Sequence, residues 1–129
     1  MKTVYIACLA GASLLLSATA FAADLGSEIT NAQTHAGLAA SAANIDGVHM
    51  HMHHALNCLV GPGGDGFDAK QMNPCAQSGN GAIPDEMDAA KKAKLTTAKT
   101  QLMQGIAATD LKMAQASATT AQTTIVSAK

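Results

Sequence analysis

The sequence predicts an all-α protein: a long helical hairpin or a four-helix bundle, with a disulfide-closed loop between its two helical halves. Three observations favour this fold class. From Ala23 to the C-terminus, 22 of 107 residues are alanine, which is the best helix former and a poor strand former. Apolar residues recur at helical spacing on either side of a central segment. That central segment, residues 58–84, is rich in glycine, proline and asparagine and contains two cysteines.

Residues 1–22 have the features of a secretory signal peptide. Lys2 provides a basic start, residues 4–16 form an apolar run, and residues 20–22 supply the Ala-x-Ala pattern of a cleavage site. An uncleaved membrane anchor is the alternative, but the apolar run is shorter than a typical membrane span. We therefore predict that residues 23–129 form a single domain in the periplasm or outside the cell, with no membrane attachment after cleavage.

Residues 24–57 form the first predicted helical segment. They contain no proline, and Asp24 or Ser27 with Glu28 resembles a helix N-terminus. Apolar residues and histidines recur along the segment at alternating four- and three-residue spacing, which is typical of a helix that packs along one seam. Gly47 is a candidate site for a kink, because glycine weakens a helix by about 1 kcal/mol relative to alanine.

Cys58 and Cys75 are the two cysteines of the predicted mature chain. An even pair of cysteines in an exported protein indicates a disulfide, and closing a loop of about 17 residues would contribute roughly 3 kcal/mol to stability. The alternative is a pair of thiolate metal ligands, although the chain has no C-x-x-C spacing. We expect Phe67, Val60 and Ile83 to pack over the end of the helices.

Residues 85–128 form the second predicted helical segment. Pro84 precedes it, and three acidic residues suit the positive end of its dipole: Asp85, Glu86 and Asp88. We interpret its lysine run as a solvated face: Lys91, Lys92, Lys94 and Lys99.

Straight helices over these two segments would be very long for so small a protein. Helices of 34 and 44 residues would extend roughly 50 and 65 Å at 1.5 Å per residue. Either they break at glycines such as Gly37, Gly47 and Gly105 and fold back, or two chains pair into a four-helix assembly. We predict a homo-oligomer, because long alanine-rich seams would otherwise stay exposed.

The most unusual segment is residues 49–54, His-Met-His-Met-His-His, which holds four of the five histidines. Imidazole nitrogens accept Cu(II) and thioether sulfur holds Cu(I), so the combination favours copper, while zinc or nickel could use the imidazoles alone. On a helix, His49 lies one turn from His53 and Met50 one turn from His54, so these pairs could chelate an ion. The two remaining side chains point elsewhere and could serve a second ion: His51 and Met52.

Further ligands are expected from the start of the second helical segment. If the disulfide places the end of the first helical segment beside the start of the second, residues near 54 face residues near 88. Met87 would then supply a thioether ligand, and Glu86 and Asp88 would accept hydrogen bonds that orient the imidazoles. His35 precedes His49 by 14 residues, about 21 Å along a straight helix, so we expect it not to share their ion.

In outline the chain resembles the small His-rich helical metal-binding proteins of bacterial periplasms, through its signal peptide, its alanine-rich helices and the run at residues 49–54. The ligand chemistry predicts an exported copper-binding protein that buffers or transports the metal. A structural or interaction hairpin that oligomerises and binds no metal is the alternative. In that case protonated histidines near a helix C-terminus would interact with its dipole and with the acidic start of the second segment.

Other function classes find little support in the sequence. Eight basic residues, all lysine, against nine acidic ones give a net charge of −1, which disfavours nucleic-acid binding. The chain contains no H-E-x-x-H, G-x-S-x-G or C-x-x-C-H motif, so we expect no enzymatic activity.

Overall fold

A capping asparagine or aspartate defines the start of each longer helix in the computed structural model, which describes residues 22–129. Each cap side chain accepts a hydrogen bond from the backbone N–H three residues later, which satisfies one of the free donors of the first turn. The helices are α1 (Leu25–Ser41), α2 (Ile45–Val60), the four-residue α3 (Ala82–Asp85), α4 (Ala89–Ala107) and α5 (Leu111–Val126). The caps are Asp24, Asn44, Asp88 and Asp110.

The described residues are all-helical, which confirms the predicted class, but each predicted helical segment is broken in two. The first break covers residues 42–44 and the second covers residues 108–110. Each break ends at a capping residue, Asn44 or Asp110, and neither occurs at a glycine. The helices therefore fold back within one chain, while self-association stays a prediction.

The four longer helices pack into a bundle in which each contacts two antiparallel neighbours: α1 packs on α2 and α5, and α4 packs on α2 and α5. The core combines small alanines with a few large side chains, among which Met52, Leu56 and Leu102 are fully or almost fully buried. Gly105 of α4 faces Met52 so closely that a Cβ at this position would collide with the methionine side chain. Close helix approach thus depends on small residues.

The segment between α2 and α3 is irregular but firmly attached. The predicted disulfide is confirmed: Cys58 and Cys75 are bonded, with their Cα atoms 5.2 Å apart. The buried Asn57 amide donates to the carbonyls of Asp68 and Met72, at 3.0 and 3.2 Å, and its oxygen accepts the Asp68 N–H at 2.9 Å. These contacts fold the loop back onto the end of α2.

Phe67 and Ile83 are partly buried against the core, and Val60 belongs to it, as expected.

No helix among residues 22–129 combines the length and the apolar character needed to cross a membrane. The predicted signal peptide and its apolar run lie outside the described residues, apart from Ala22.

Candidate metal centre

Three histidines meet at the interface between α1 and α2. His35 comes from α1, and His51 and His54 come from successive turns of α2. One nitrogen of each imidazole lies within 4.8 Å of the corresponding nitrogens of the other two. The ring centroids are 5.0 to 5.7 Å apart. Among residues 22–129, no other group of three histidine, cysteine, aspartate or glutamate side chains has this arrangement.

The chain reversal at residues 42–44 creates this group. His35 and His51 each lie eight residues from Ala43, so antiparallel packing about that point places them opposite each other. Our expectation that His35 is too distant to share an ion was wrong, because it assumed a straight helix through residues 24–57. The signal that could have corrected it is Asn44, a strong N-cap residue with Asp46 in the first turn that follows.

The separation of the His35 and His51 nitrogens matches the requirement of a metal site. Their Nδ1 atoms are 3.2 Å apart. Two nitrogens bound to a tetrahedral ion at about 2.0–2.1 Å would stand about 3.3 Å from each other. Without an ion, one Nδ1–H donates to the other Nδ1, so the two rings hold opposite tautomers. A metal ion bound by both nitrogens would take the place of that proton.

His54 is the most buried member of the group, with 6% of its surface exposed. Its Nδ1 has no hydrogen-bond partner among the described residues. A buried polar atom without a partner costs roughly 1–3 kcal/mol, which a bound ion or a water molecule would relieve. His35 and His51 are half-buried, so the group is partly accessible to solvent.

Burial favours the neutral imidazoles of His35 and His54. Burial lowers the pKa of His35, and the neighbouring His54 and His51 lower it further. Burial also lowers the pKa of His54, followed by the effects of His51 and His53. Neutral imidazole is the form that binds metal. Protons therefore compete less with a metal ion for His35 and His54 than they would for free imidazoles.

The other two histidines of the run contact different parts of the molecule. His49 donates from Nε2 to the backbone carbonyl of Ala108, at 2.9 Å, in the break between α4 and α5. The Nδ1 of His53 lies 3.7 Å from Oδ2 of Asp68 in the disulfide-closed loop, too far for a hydrogen bond. The predicted pair His49 and His53 therefore faces α4 and the loop, whereas the three-histidine group faces α1.

The methionines proposed as ligands occupy three unlike environments. Met52 is fully buried in the core and packs on Gly105, so its role is structural packing. Met87 is 89% exposed just before α4. Met50 is 41% exposed and lies one helical turn before His54. Of the three, only Met50 lies one turn from a member of the histidine group on the same face of α2.

Glu86 and Asp88 do not face the histidine run, contrary to the expected alignment of the helix ends. Asp88 caps α4, and Glu86 accepts the Asp88 N–H at 2.8 Å. Met52 instead contacts Gly105, which is 17 residues after Asp88 and about 25 Å away along the helix axis. The disulfide does not align the start of α4 with the histidine run, because the loop that it closes folds back onto α2.

No protein-family model, curated protein or solved structure matches this chain at a significant level. The functional interpretation accordingly depends on the chemistry of the site itself.

Proposed function

We propose that this protein binds one transition-metal ion through His35, His51 and His54, and that it buffers or transports copper outside the cytoplasm. The observation that carries the proposal is the convergence of three imidazoles from two helices, with two of their nitrogens already at the spacing that a bound ion requires. Three imidazoles form a borderline ligand set that suits Cu(II), Zn(II) and Ni(II). Cu(II) binds most tightly of these, by the general order of divalent affinities.

Copper also explains the methionine beside the site. A thioether binds Cu(I) without losing a proton, and Met50 is placed one turn from His54 on the exposed side of α2. We propose that Met50 completes the coordination of Cu(I), while Cu(II) uses the imidazoles and solvent. Zinc and nickel would gain little from this sulfur.

A carrier outside the cytoplasm agrees with two further features. The Cys58–Cys75 disulfide is typical of oxidising compartments, where the predicted signal peptide would direct the chain. The half-buried His35 and His51 leave the site partly accessible to solvent, which favours exchange of the ion with a partner. The sequence has no catalytic motif, so we propose storage or transport and no enzymatic reaction.

The test is metal titration of purified residues 23–129 with Cu(II), Zn(II) and Ni(II), each in competition with a chelator of known affinity. We expect one ion per chain, affinity highest for Cu(II), and an electron paramagnetic resonance spectrum with coupling to three nitrogens. Failure of all three ions to compete, at micromolar protein, would instead support the alternative of an oligomerising hairpin that binds no metal.

A further inference from the structure

A second concave site lies at the other end of α2, where the glycine-rich loop meets α4. It is a cleft of about 590 Å³, within the range of small-molecule sites, and it shares no lining residue with the histidine group. Its walls are the start of the loop at residues 62–65, the loop end and α3 at residues 79–84, and one face of α4. What it binds is independent of the proposed copper function.

The floor of the cleft is apolar. Val60 is buried at the end of α2, and Ile83 is partly buried against the core beside it. Pro62 and Pro84 add apolar surface without free backbone donors. Gly63 also lines the cleft, and a Cβ at this position would have no heavy atom within 4 Å, so the space beside it is open. An apolar ligand body could therefore contact this floor and displace water from it.

The α4 wall is basic. Lys92, Thr96 and Lys99 recur at helical spacing and line the cleft together. Lys99 donates from Nζ to Oδ2 of Asp65 at 2.8 Å, whereas Lys92 has no carboxylate within 4 Å among the described residues. The lining thus carries two ammonium groups and one carboxylate, which leaves one positive charge uncompensated at Lys92.

The rim of the cleft is held in place before any ligand arrives. Gly61 and Gly81 bring the two ends of the loop into backbone contact, and both have positive φ angles, of 66° and 110°. The buried Glu28 accepts the Gly81 N–H at 2.8 Å, and the disulfide restrains the loop between these ends. A rigid rim lowers the entropy cost of binding.

We propose that this cleft binds a small amphipathic monocarboxylate, with its aliphatic chain over Val60 and Ile83 and its carboxylate beside Lys92. One uncompensated ammonium matches one negative charge. The absence of arginine from the chain and the apolar floor disfavour a phosphate-rich ligand. The proposal also gives the glycine-rich loop and part of the lysine run a role beyond that of solvated surface.

The test titrates metal-free residues 23–129 with octanoate and with its uncharged analogue 1-octanol. Binding is measured from the backbone amide chemical shifts in nuclear magnetic resonance spectra. We expect saturable shifts at Gly63, Gly64 and Thr96. Lys92→Gln should weaken octanoate binding about five- to tenfold and leave octanol binding unchanged. Lys112→Gln on α5, exposed and outside the cleft, is the matched control and should alter neither.

A steric variant makes the result independent of charge. Gly63 lines the cleft and has space for a side chain, so Gly63→Phe should obstruct the cleft and weaken both probes. The proposal is overturned if octanoate and octanol bind equally well to the unaltered protein, or if Lys92→Gln behaves like Lys112→Gln. Shifts located away from the cleft, or no saturable shifts up to millimolar octanoate, would also overturn it.

Discussion

The two faces of α2 carry the same kinds of side chain and use them differently. On the face toward α1, His51 and His54 meet a third imidazole, and one buried nitrogen has no partner. On the face toward α4, His49 donates to a backbone carbonyl and Met52 fills the core. Six consecutive residues, all with side chains that can bind metal, are thus divided between a candidate site and ordinary structure. The comparison teaches that the partner helix, and not the composition of the run, selects the ligands.

Helical geometry explains the division. Successive residues are turned by about 100°, so a dense run cannot direct all its side chains to one ion while it stays helical. Residues three or four apart share a face, as His51 and His54 do. The remaining histidines meet whatever element packs on their own side.

The largest expected effect is on copper affinity, and it separates the two faces directly. Replacing His35 and His51 together by alanine should weaken Cu(II) binding more than about 100-fold, because two of three ligands are lost. Even the loss of a residue that only supports a ligand typically lowers metal affinity by 10–100-fold. The matched pair, His49→Ala with His53→Ala, should change it less than about threefold. Chelator competition at neutral pH measures both. Greater loss from the His49 and His53 pair would reverse our assignment.

The second prediction concerns the core side of α2. Met52→Ala should lower the free energy of unfolding by about 2–5 kcal/mol, because it leaves a cavity against Gly105, and should not change the copper stoichiometry. Urea unfolding of the metal-free protein measures the first quantity. An unchanged free energy of unfolding would show that Met52 is not closely packed against Gly105.

A smaller effect should distinguish the two oxidation states of copper. Met50→Leu keeps the size of the side chain but removes the sulfur, so we expect Cu(I) affinity to fall about tenfold and Cu(II) affinity to stay the same. Anaerobic competition with a Cu(I)-specific chelator is the measurement. Equal Cu(I) affinity in the variant would remove Met50 from the site and leave a purely imidazole centre.

The smallest expected effect is the pH dependence of the metal-free protein. The pKa values of His35 and His54 are lowered on folding, so the unfolded chain takes up protons below about pH 6.5 that the folded chain does not. Stability should therefore fall as the pH drops from 6.5 toward the lowered values. His35→Gln should remove about half of this decline, since two histidines cause it. Unfolding midpoints at pH 7.5 and 5.5 provide the measurement, and an undiminished decline would contradict it.

The correct predictions depended on composition and residue type, which the sequence shows directly. Alanine content predicted helices, and an even cysteine pair predicted the Cys58–Cys75 disulfide. The helix break at Asn44 was missed because the break was expected at a glycine and not at a polar N-cap residue. An N-cap side chain satisfies free backbone donors at the start of a helix, whereas a glycine does not. With the break missed, His35 was excluded from the candidate site.

The register of α4 was beyond sequence reasoning for a different reason. It is set by the fit of Gly105 against Met52 and by the attachment of the loop to Asn57. Met52 and Gly105 are 53 residues apart, and Asn57 and Asp68 are 11 residues apart within an irregular segment, so no local pattern specifies either contact. Met87, Glu86 and Asp88 were therefore placed opposite the histidines when they lie near the other end of the bundle.

The three-residue turn between α1 and α2 determines which part of the protein an ion would stiffen. An ion held by His35 and His51 joins two segments only 16 residues apart, and it touches neither α4 nor α5. Separation of α1 from α2 would then require release of the metal, whereas separation of α4 and α5 from them would not. Amide hydrogen exchange would slow in residues 25–60 on loading and change little in residues 89–126. The half of the bundle formed by α1 and α2 would differ between the loaded and the empty protein, and the half formed by α4 and α5 would stay the same.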